Sequence, residues 1–134
     1  MPSTAGIFVA IYDDGGIYKH WTLFIDGPDA SEKTILNIMG SSTNYRFEMR
    51  NSDARDSETV QEVIYLQDVK VSDIPAIKEA GKNAVIHNEF PGYNCQDYVI
   101  ELLTELEEQG IVDGGDEEYI QRKEKVKSRQ EGFA

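Results

Sequence analysis

Residues 20–26 read HWTLFID, and Gly-Pro follows at positions 27 and 28. Three large apolar side chains occupy alternate positions of this stretch, Trp21, Leu23 and Ile25, and a period of two predicts a β-strand. A second apolar stretch, Lys33–Met39, begins after the short connection Gly27–Ala30. A connection of this length joins antiparallel neighbours, so the two stretches predict a β-hairpin.

Three further segments of the first half have strand character. Gly6–Tyr12 is rich in Ile, Val and Phe and is closed by the turn-forming residues Asp13–Gly16. Asn44–Met49 alternates aromatic or apolar residues with charged ones, and Val60–Val69 is a longer, less regular extended segment. Five strands in succession predict a largely antiparallel sheet.

The second half of the chain has helical signals. Ser72 is a candidate N-cap of a short helix with Pro75 in its first turn, and Gly81 is a candidate stop. After a loop, Asn94 is a candidate N-cap of a stronger helix that ends before Gly110. This helix carries one apolar face at helical spacing, made of Cys95, Val99, Leu102, Leu103 and Leu106. We expect that face to pack on the sheet.

These elements predict one α+β domain at residues 1–113. The remaining residues, 114–134, are strongly charged, with Tyr119, Ile120 and Val126 among the few apolar side chains. They predict a charged C-terminal helix or a partly ordered tail.

The charge and the cysteine content restrict the expected partners and location. The chain has 25 acidic against 13 basic residues and a net charge of −12, which disfavours nucleic acid and anionic membrane surfaces. A single cysteine forms no internal disulfide, and no apolar run approaches the roughly 20 residues that span a bilayer. We therefore expect a cytoplasmic protein without stable membrane association, acting on a small molecule or a peptide.

Cys95 is the first candidate for chemistry. A thiol at the start of a helix, with an imidazole nearby, is expected to lose its proton more easily than a free thiol and so to act as a nucleophile. The alternative is that Cys95 is only a small apolar residue at the inner edge of an amphipathic helix. No metal-ligand cluster, phosphate-binding glycine loop or serine nucleophile elbow occurs in the sequence, and we expect neither a metal nor a cofactor.

His20 is the candidate general base, since an imidazole can take a thiol proton and return it to a leaving group. If the hairpin pairs positions whose numbers sum to 57, Asn37 lies opposite His20 and can orient its ring. The alternatives are a strand-end histidine without a role and a polar residue tolerated in a half-exposed strand. His87 is a rival base in the loop before Cys95.

Asp26 and Asp97 are further candidates as orienting residues. Asp97 lies in the first turn of the predicted helix, where the helix dipole alone accounts for a carboxylate. The sequence therefore does not decide whether Asp97 orients His20 or only stabilises the helix start.

Two short motifs resemble a known superfamily. Residues 18–27, YKHWTLFIDG, resemble the histidine strand of the lecithin:retinol acyltransferase-like and NlpC-type cysteine enzymes. Residues 94–99, NCQDYV, resemble their nucleophile motif, in which Asn-Cys opens a helix. The histidine strand precedes the cysteine helix, which is the order of the circularly permuted papain-like fold.

The resemblance implies that Cys95 is the nucleophile, His20 the general base and a polar residue on the next strand the third member of a triad. The acyltransferase branch usually has a histidine in that third position, whereas this chain has Asn37. Papain-like triads elsewhere use asparagine for the same task. We also expect no C-terminal hydrophobic anchor of the kind that the membrane-acting members of that superfamily carry.

We therefore expect a hydrolase or acyl transferase that acts on an amide, peptide or ester through a thioester on Cys95. The competing hypothesis is a noncatalytic module of the same fold that binds a protein or a ligand through the loop before Cys95. Acyl transfer to or from lipids is disfavoured by the acidic charge and the missing anchor.

Overall fold

The computed structural model describes residues 3–131 as an α+β structure with one antiparallel sheet and three helices. The strands are β1 (Thr4–Tyr12), β2 (His20–Asp26), β3 (Lys33–Met39), β4 (Arg46–Arg50) and β5 (Val60–Lys70); the helices are α1 (Ile74–Asn83), α2 (Cys95–Glu108) and α3 (Glu117–Ser128). The predicted fold class and five-stranded antiparallel sheet are confirmed. β2 and β3 have the predicted boundaries.

The strand order is β4-β3-β2-β1-β5, so β2 is the central strand. The side chains on both faces of β2 are buried, which explains its central position: Trp21, Leu23 and Phe24 are each 0% exposed. A strand that is apolar on both faces is stable only inside a sheet that is covered on both sides. Residues 20–26 therefore form the centre of the fold.

The register of the β2–β3 hairpin differs from the sequence-based assumption. Leu23 pairs with Leu36 and Asp26 with Lys33, so paired positions sum to 59 and not to 57. A shift of two residues keeps each side chain on its original face, whereas a shift of one would exchange the faces. Asn37 is therefore a diagonal neighbour of His20 and not its direct partner, but the two side chains still share one face.

The two faces of the sheet carry separate apolar clusters. The larger cluster contains Trp21 and Leu23 of β2 with the buried side chains of α2, including Cys95. The smaller cluster lies on the other face and contains Tyr12, Phe24, Ile35 and Ala54. His20 alternates with Trp21 along β2, so it belongs to the face of the smaller cluster.

Helix α1 begins and ends differently from the sequence-based expectation. Asp73 is its N-cap, while Ser72 lies in the preceding 3-10 turn. Gly81 does not stop the helix but lies inside it. Close packing, and not a helix end, explains why this residue is a glycine. A Cβ at Gly81 would lie 3.2 Å from Leu36 Cδ1, and the Tyr98 hydroxyl donates to the Gly81 carbonyl at 2.7 Å.

Helix α2 has the predicted boundaries. Asn94 is its N-cap and accepts a hydrogen bond from the Gln96 N–H at 2.8 Å. The helix ends at Glu108, and Gln109 is its C-cap. The next residue, Gly110, has a φ of 74°, the left-handed conformation in which a glycine commonly terminates a helix. The predicted apolar face is buried against the sheet.

The charged C-terminal stretch contains α3, which packs beside β5. Tyr119 and Val126 are 1% and 0% exposed, and Arg122 donates to the Leu66 carbonyl at 3.2 Å. Ile120 faces outward, at 44% exposure. None of the helices within residues 3–131 combines the length and apolar character needed to span a lipid bilayer.

Candidate active site

Cys95 is the first residue of α2, where backbone N–H groups lack helical acceptors. The Asn94 side chain accepts hydrogen bonds from the N–H groups of Gln96 and Asp97. Within residues 3–131 the Cys95 N–H has no oxygen acceptor. This N–H acts on the Cys95 sulfur itself, where it lowers the pKa of the thiol.

The Cys95 sulfur lies against the chain on both sides of His20. The Trp21 N–H donates to Sγ at 3.5 Å, and the thiol donates to the Lys19 carbonyl at 3.8 Å. Cys95 is only 2% exposed. The helix start and the histidine strand thus meet at the sulfur.

The pKa of Cys95 is shifted in the direction opposite to the one expected from the helix start. Burial raises the pKa of the thiol to about 11, although the N–H groups of Trp21, Cys95 and Gln96 lower it. Desolvation outweighs these dipoles because the thiolate would be removed from water. The expectation of an unusually acidic thiol is therefore wrong, and Cys95 is protonated at neutral pH.

His20 and Asn37 are in direct contact, as predicted, despite the different register. His20 Nε2 lies 2.9 Å from Asn37 Oδ1. The Asn37 amide nitrogen donates to the Glu48 carbonyl and to Glu48 Oε1, at 3.2 and 3.1 Å. Because that nitrogen is already used, Asn37 Oδ1 must accept from the ring, which assigns a proton to Nε2. In a neutral ring, Nδ1 then carries the free lone pair.

Burial lowers the pKa of His20, while the hydrogen bond to Asn37 acts in the opposite direction. Desolvation disfavours the imidazolium, so the ring is neutral at neutral pH. The site thus holds a thiol and a neutral imidazole, and not a thiolate–imidazolium pair.

The imidazole and the thiol reach a common cavity without touching. Within residues 3–131 no hydrogen bond joins the His20 ring to the Cys95 thiol. Both residues line a cavity of about 430 Å³ whose other large side chains are Ile17, Tyr18, Ile38, Met39 and Tyr45. The hydroxyls of Tyr18 and Tyr45 are hydrogen-bonded to each other. The walls around the sulfur are therefore mostly apolar and aromatic.

A second cavity adjoins His20 on the other face of the sheet. It measures about 370 Å³ and shares Asp14, His20 and Met39 with the first cavity. Its remaining walls include Arg50 and the polar side chains Ser52, Asp53, Asp56 and Ser57. The second cavity also has the apolar walls Tyr12, Ile35 and Ala54, so His20 lies between a mostly apolar cavity and one of mixed character.

The other candidates lie elsewhere. His87 is held between Glu89 and Glu101, with Nδ1 at 3.4 Å and Nε2 at 3.2 Å from carboxylate oxygens, and it lines a different groove between α1 and α2.

Asp26, at the far end of β2, pairs with Lys33 at 2.5 Å. Asp97 accepts from the Asn94 N–H at 3.0 Å and completes the cap of α2.

Sequence reasoning missed Glu48, which holds the Asn37 amide. Glu48 pairs with Asn37 across β3 and β4, and this pairing would have been visible in the sequence only if the register were known. It also missed Gln96, the residue after the proposed nucleophile. Gln96 is 0% exposed, although its position next to Cys95 gave no sign that a long amide would be buried there.

Among residues 3–131, no three His, Cys, Asp or Glu side chains are grouped as metal ligands would be. Searches of curated proteins and of solved structures found no match. A protein-family model matches residues 7–113, which include both halves of the candidate site, and its description is a family of unknown function, DUF6540. The chain therefore belongs to the DUF6540 family.

Proposed function

We propose that this protein is a cysteine-dependent hydrolase or acyl transferase that acts on an amide, peptide or ester through a thioester on Cys95. The observation that carries the proposal is the shared cavity, into which a helix-start thiol and an imidazole oriented by Asn37 both open. Nucleophile, base and orienting group are the three parts that thioester chemistry requires.

We also propose a permuted papain-like architecture. A histidine strand at the sheet centre, followed later in the chain by a cysteine helix packed on the same sheet, supports this assignment. The pairing of the base with an asparagine on the neighbouring strand supports it further.

The proposed reaction begins from the neutral pair. The Cys95 S–H proton moves to His20 Nδ1 as the sulfur attacks the substrate carbonyl carbon, and the Cys95 N–H donates to the developing oxyanion. The bond to the leaving group then breaks, and the leaving group takes the proton from the imidazolium. Water or an acceptor nucleophile, deprotonated by His20, then attacks the thioester carbonyl; the C–S bond breaks, and the Cys95 sulfur takes the proton back from the imidazolium. Because Cys95 and His20 belong to opposite faces of the sheet and are not hydrogen-bonded to each other, the proposed reaction requires that substrate binding brings the ring and the thiol together.

The cavities suggest how a substrate lies in the site. A thioester acyl group must occupy the space around Sγ, where Ile38, Met39 and Tyr45 supply apolar walls. The leaving group must lie beside His20, which protonates it, and there the second cavity begins, whose wall includes the polar groups of Arg50, Ser52 and Asp56. The site therefore favours an apolar acyl group joined to a hydrophilic alcohol or amine.

The test is covalent capture. Wild type and Cys95→Ala are incubated with p-nitrophenyl esters of short and medium-length acyl groups, and intact mass is measured before and after neutral hydroxylamine, which removes thioesters but not lysine amides. We expect one hydroxylamine-sensitive adduct on wild type and none on Cys95→Ala. Since the chain has a single cysteine, such an adduct identifies its position without digestion.

A noncatalytic binding module is the second candidate, and the burial of Cys95 with its raised pKa is the observation that favours it. If folded wild type forms no adduct with any ester while iodoacetamide still alkylates Cys95 at high pH, the thiol is accessible but not catalytic. That outcome would exclude the enzymatic proposal and leave the binding module.

A further inference from the structure

We infer that Gln96 and Glu131 form a positioning clamp on Lys19, which fixes the start of the histidine strand against the start of the cysteine helix. This inference rests on the proposed function, because the clamp would serve the geometry of the reacting pair. Neither residue belongs to the Cys95–His20–Asn37 set.

Lys19 needs such partners because it lies outside the β-ladder. The pairing of β1 with β2 ends at Tyr12 and His20, so the N–H and carbonyl of Lys19 have no strand neighbour. Backbone groups that are partly removed from water must find other hydrogen-bond partners. Both groups of Lys19 find them in the clamp.

Gln96 forms the first half of the clamp. Its Nε2 donates to the Lys19 carbonyl at 2.9 Å, and its Oε1 accepts from the Glu131 N–H at 2.7 Å. Glu131 forms the second half, since its Oε1 accepts from the Lys19 N–H at 3.0 Å and lies 3.5 Å from Gln96 Nε2. The three residues close a ring of hydrogen bonds.

The ring joins the two halves of the candidate site. Gln96 directly follows Cys95, and Lys19 directly precedes His20, whose neighbours Lys19 and Trp21 also contact the sulfur. A displacement of about 1 Å in a catalytic pair can cost about 10²-fold in rate. A clamp one residue from each reacting group therefore controls their approach without touching the substrate.

Glu131 also lies beyond residues 7–113, which the family model matches. Helix α3 carries it to the site, and the segment after α3 is fastened there by Gln130, whose amide donates to Asp97 Oδ1 at 3.1 Å. The C-terminal part of the chain thus completes a site whose proposed reacting residues all lie within the matched region.

The experiment separates positioning from folding through conservative variants. Glu131→Gln keeps the carbonyl oxygen that accepts from Lys19, so we expect nearly wild-type acylation. Glu131→Ala and Gln96→Ala should lower the acylation rate about 10- to 100-fold with little change in KM. Gln96→Glu retains the acceptor but loses the donor to Lys19, and should resemble Gln96→Ala. The matched controls are Glu118→Ala on α3 and Gln109→Ala at the end of α2, whose bonds lie within their own helices.

A second readout does not depend on acylation. The His20 ring is titrated by NMR, with His87→Gln used to assign the two histidines, and thermal unfolding confirms that each variant is folded. Burial lowers the pKa of His20 in wild type, and we expect Glu131→Ala to raise it toward 6.5 as water reaches the loosened strand start.

The outcomes are distinct. A raised pKa of His20 in folded Glu131→Ala, without any acyl adduct on wild type, would support the clamp and reject the proposed function. If wild type is acylated, and Glu131→Ala and Gln96→Glu both show the same acylation rate and the same pKa of His20 as wild type, the clamp is rejected and the proposed function stands. Should Gln96→Ala fail to fold, the Glu131 variants still decide.

Discussion

The two histidines of this chain lie in contrasting surroundings. His20 is half-buried, and its ring is hydrogen-bonded to the neutral amide of Asn37. His87 is also half-buried, but it lies edge-on to Tyr93 and has a carboxylate beside each ring nitrogen. The Nδ1 atom of His20 therefore has no hydrogen-bond partner among residues 3–131, and the residue lines the cavity that also contains Cys95, whereas both ring nitrogens of His87 face carboxylates. The comparison shows that the surroundings of an imidazole, and not the residue type, decide whether it is placed to take a proton from Cys95.

The largest expected effect separates the two rings directly. His20→Ala removes the proposed base and should lower the rate of Cys95 acylation about 10²–10⁴-fold, because general base catalysis contributes about that much. His87→Ala should leave the rate unchanged, since that ring lies in a different groove. The rates are measured as p-nitrophenol release under single-turnover conditions. Equal losses in both variants would remove the distinction between the two histidines.

The pH dependence should follow His20. Because burial lowers the pKa of His20, the neutral base persists below pH 6.5, and acylation should fall about tenfold per pH unit only below that lowered pKa. Alkylation of Cys95 by iodoacetamide requires thiolate, so it should keep rising toward the pKa of about 11. The two pH profiles of wild type are compared directly. Identical profiles would mean that acylation also depends only on thiolate, with no contribution from His20.

The smallest expected effect concerns the orienting residue. Asn37→Ala removes one neutral hydrogen bond to the ring, worth about 1 kcal/mol, so acylation should fall about tenfold or less. Glu101→Gln changes the corresponding partner of His87 and should have no effect. Single-turnover rates and thermal unfolding are measured on both variants, since Asn37 is fully buried. An unchanged rate in folded Asn37→Ala would remove Asn37 from the site.

Much of the fold could be predicted from local patterns. Period-two alternation and a short Gly-Pro connection identified β2 and β3, and a capping asparagine identified the start of α2. Gly81 shows the limit of such signals, because its position in the sequence favours a helix stop whereas close packing against Leu36 and Tyr98 explains its presence inside α1. A glycine required for close packing cannot be distinguished locally from one required for a turn.

The contact between His20 and Asn37 was predicted from an incorrect register. The assumed register and the observed one differ by two positions, and an even shift leaves side chains on the same face. The contact survives as a diagonal pair, with the polar atoms 2.9 Å apart. The prediction of shared face was therefore more robust than the prediction of direct pairing.

The sequence by itself determined the sheet, the helix that begins at Cys95 and the common face of His20 and Asn37, because these depend on periods and caps that span a few residues. Only the tertiary structure decided the protonation of the site and its attachment to Glu131. The pKa of Cys95 depends on how much water the whole fold excludes, and here desolvation exceeds the stabilisation from nearby N–H groups. The clamp on Lys19 joins residues far apart in the chain, and such a contact exists only after sheet and helices have packed.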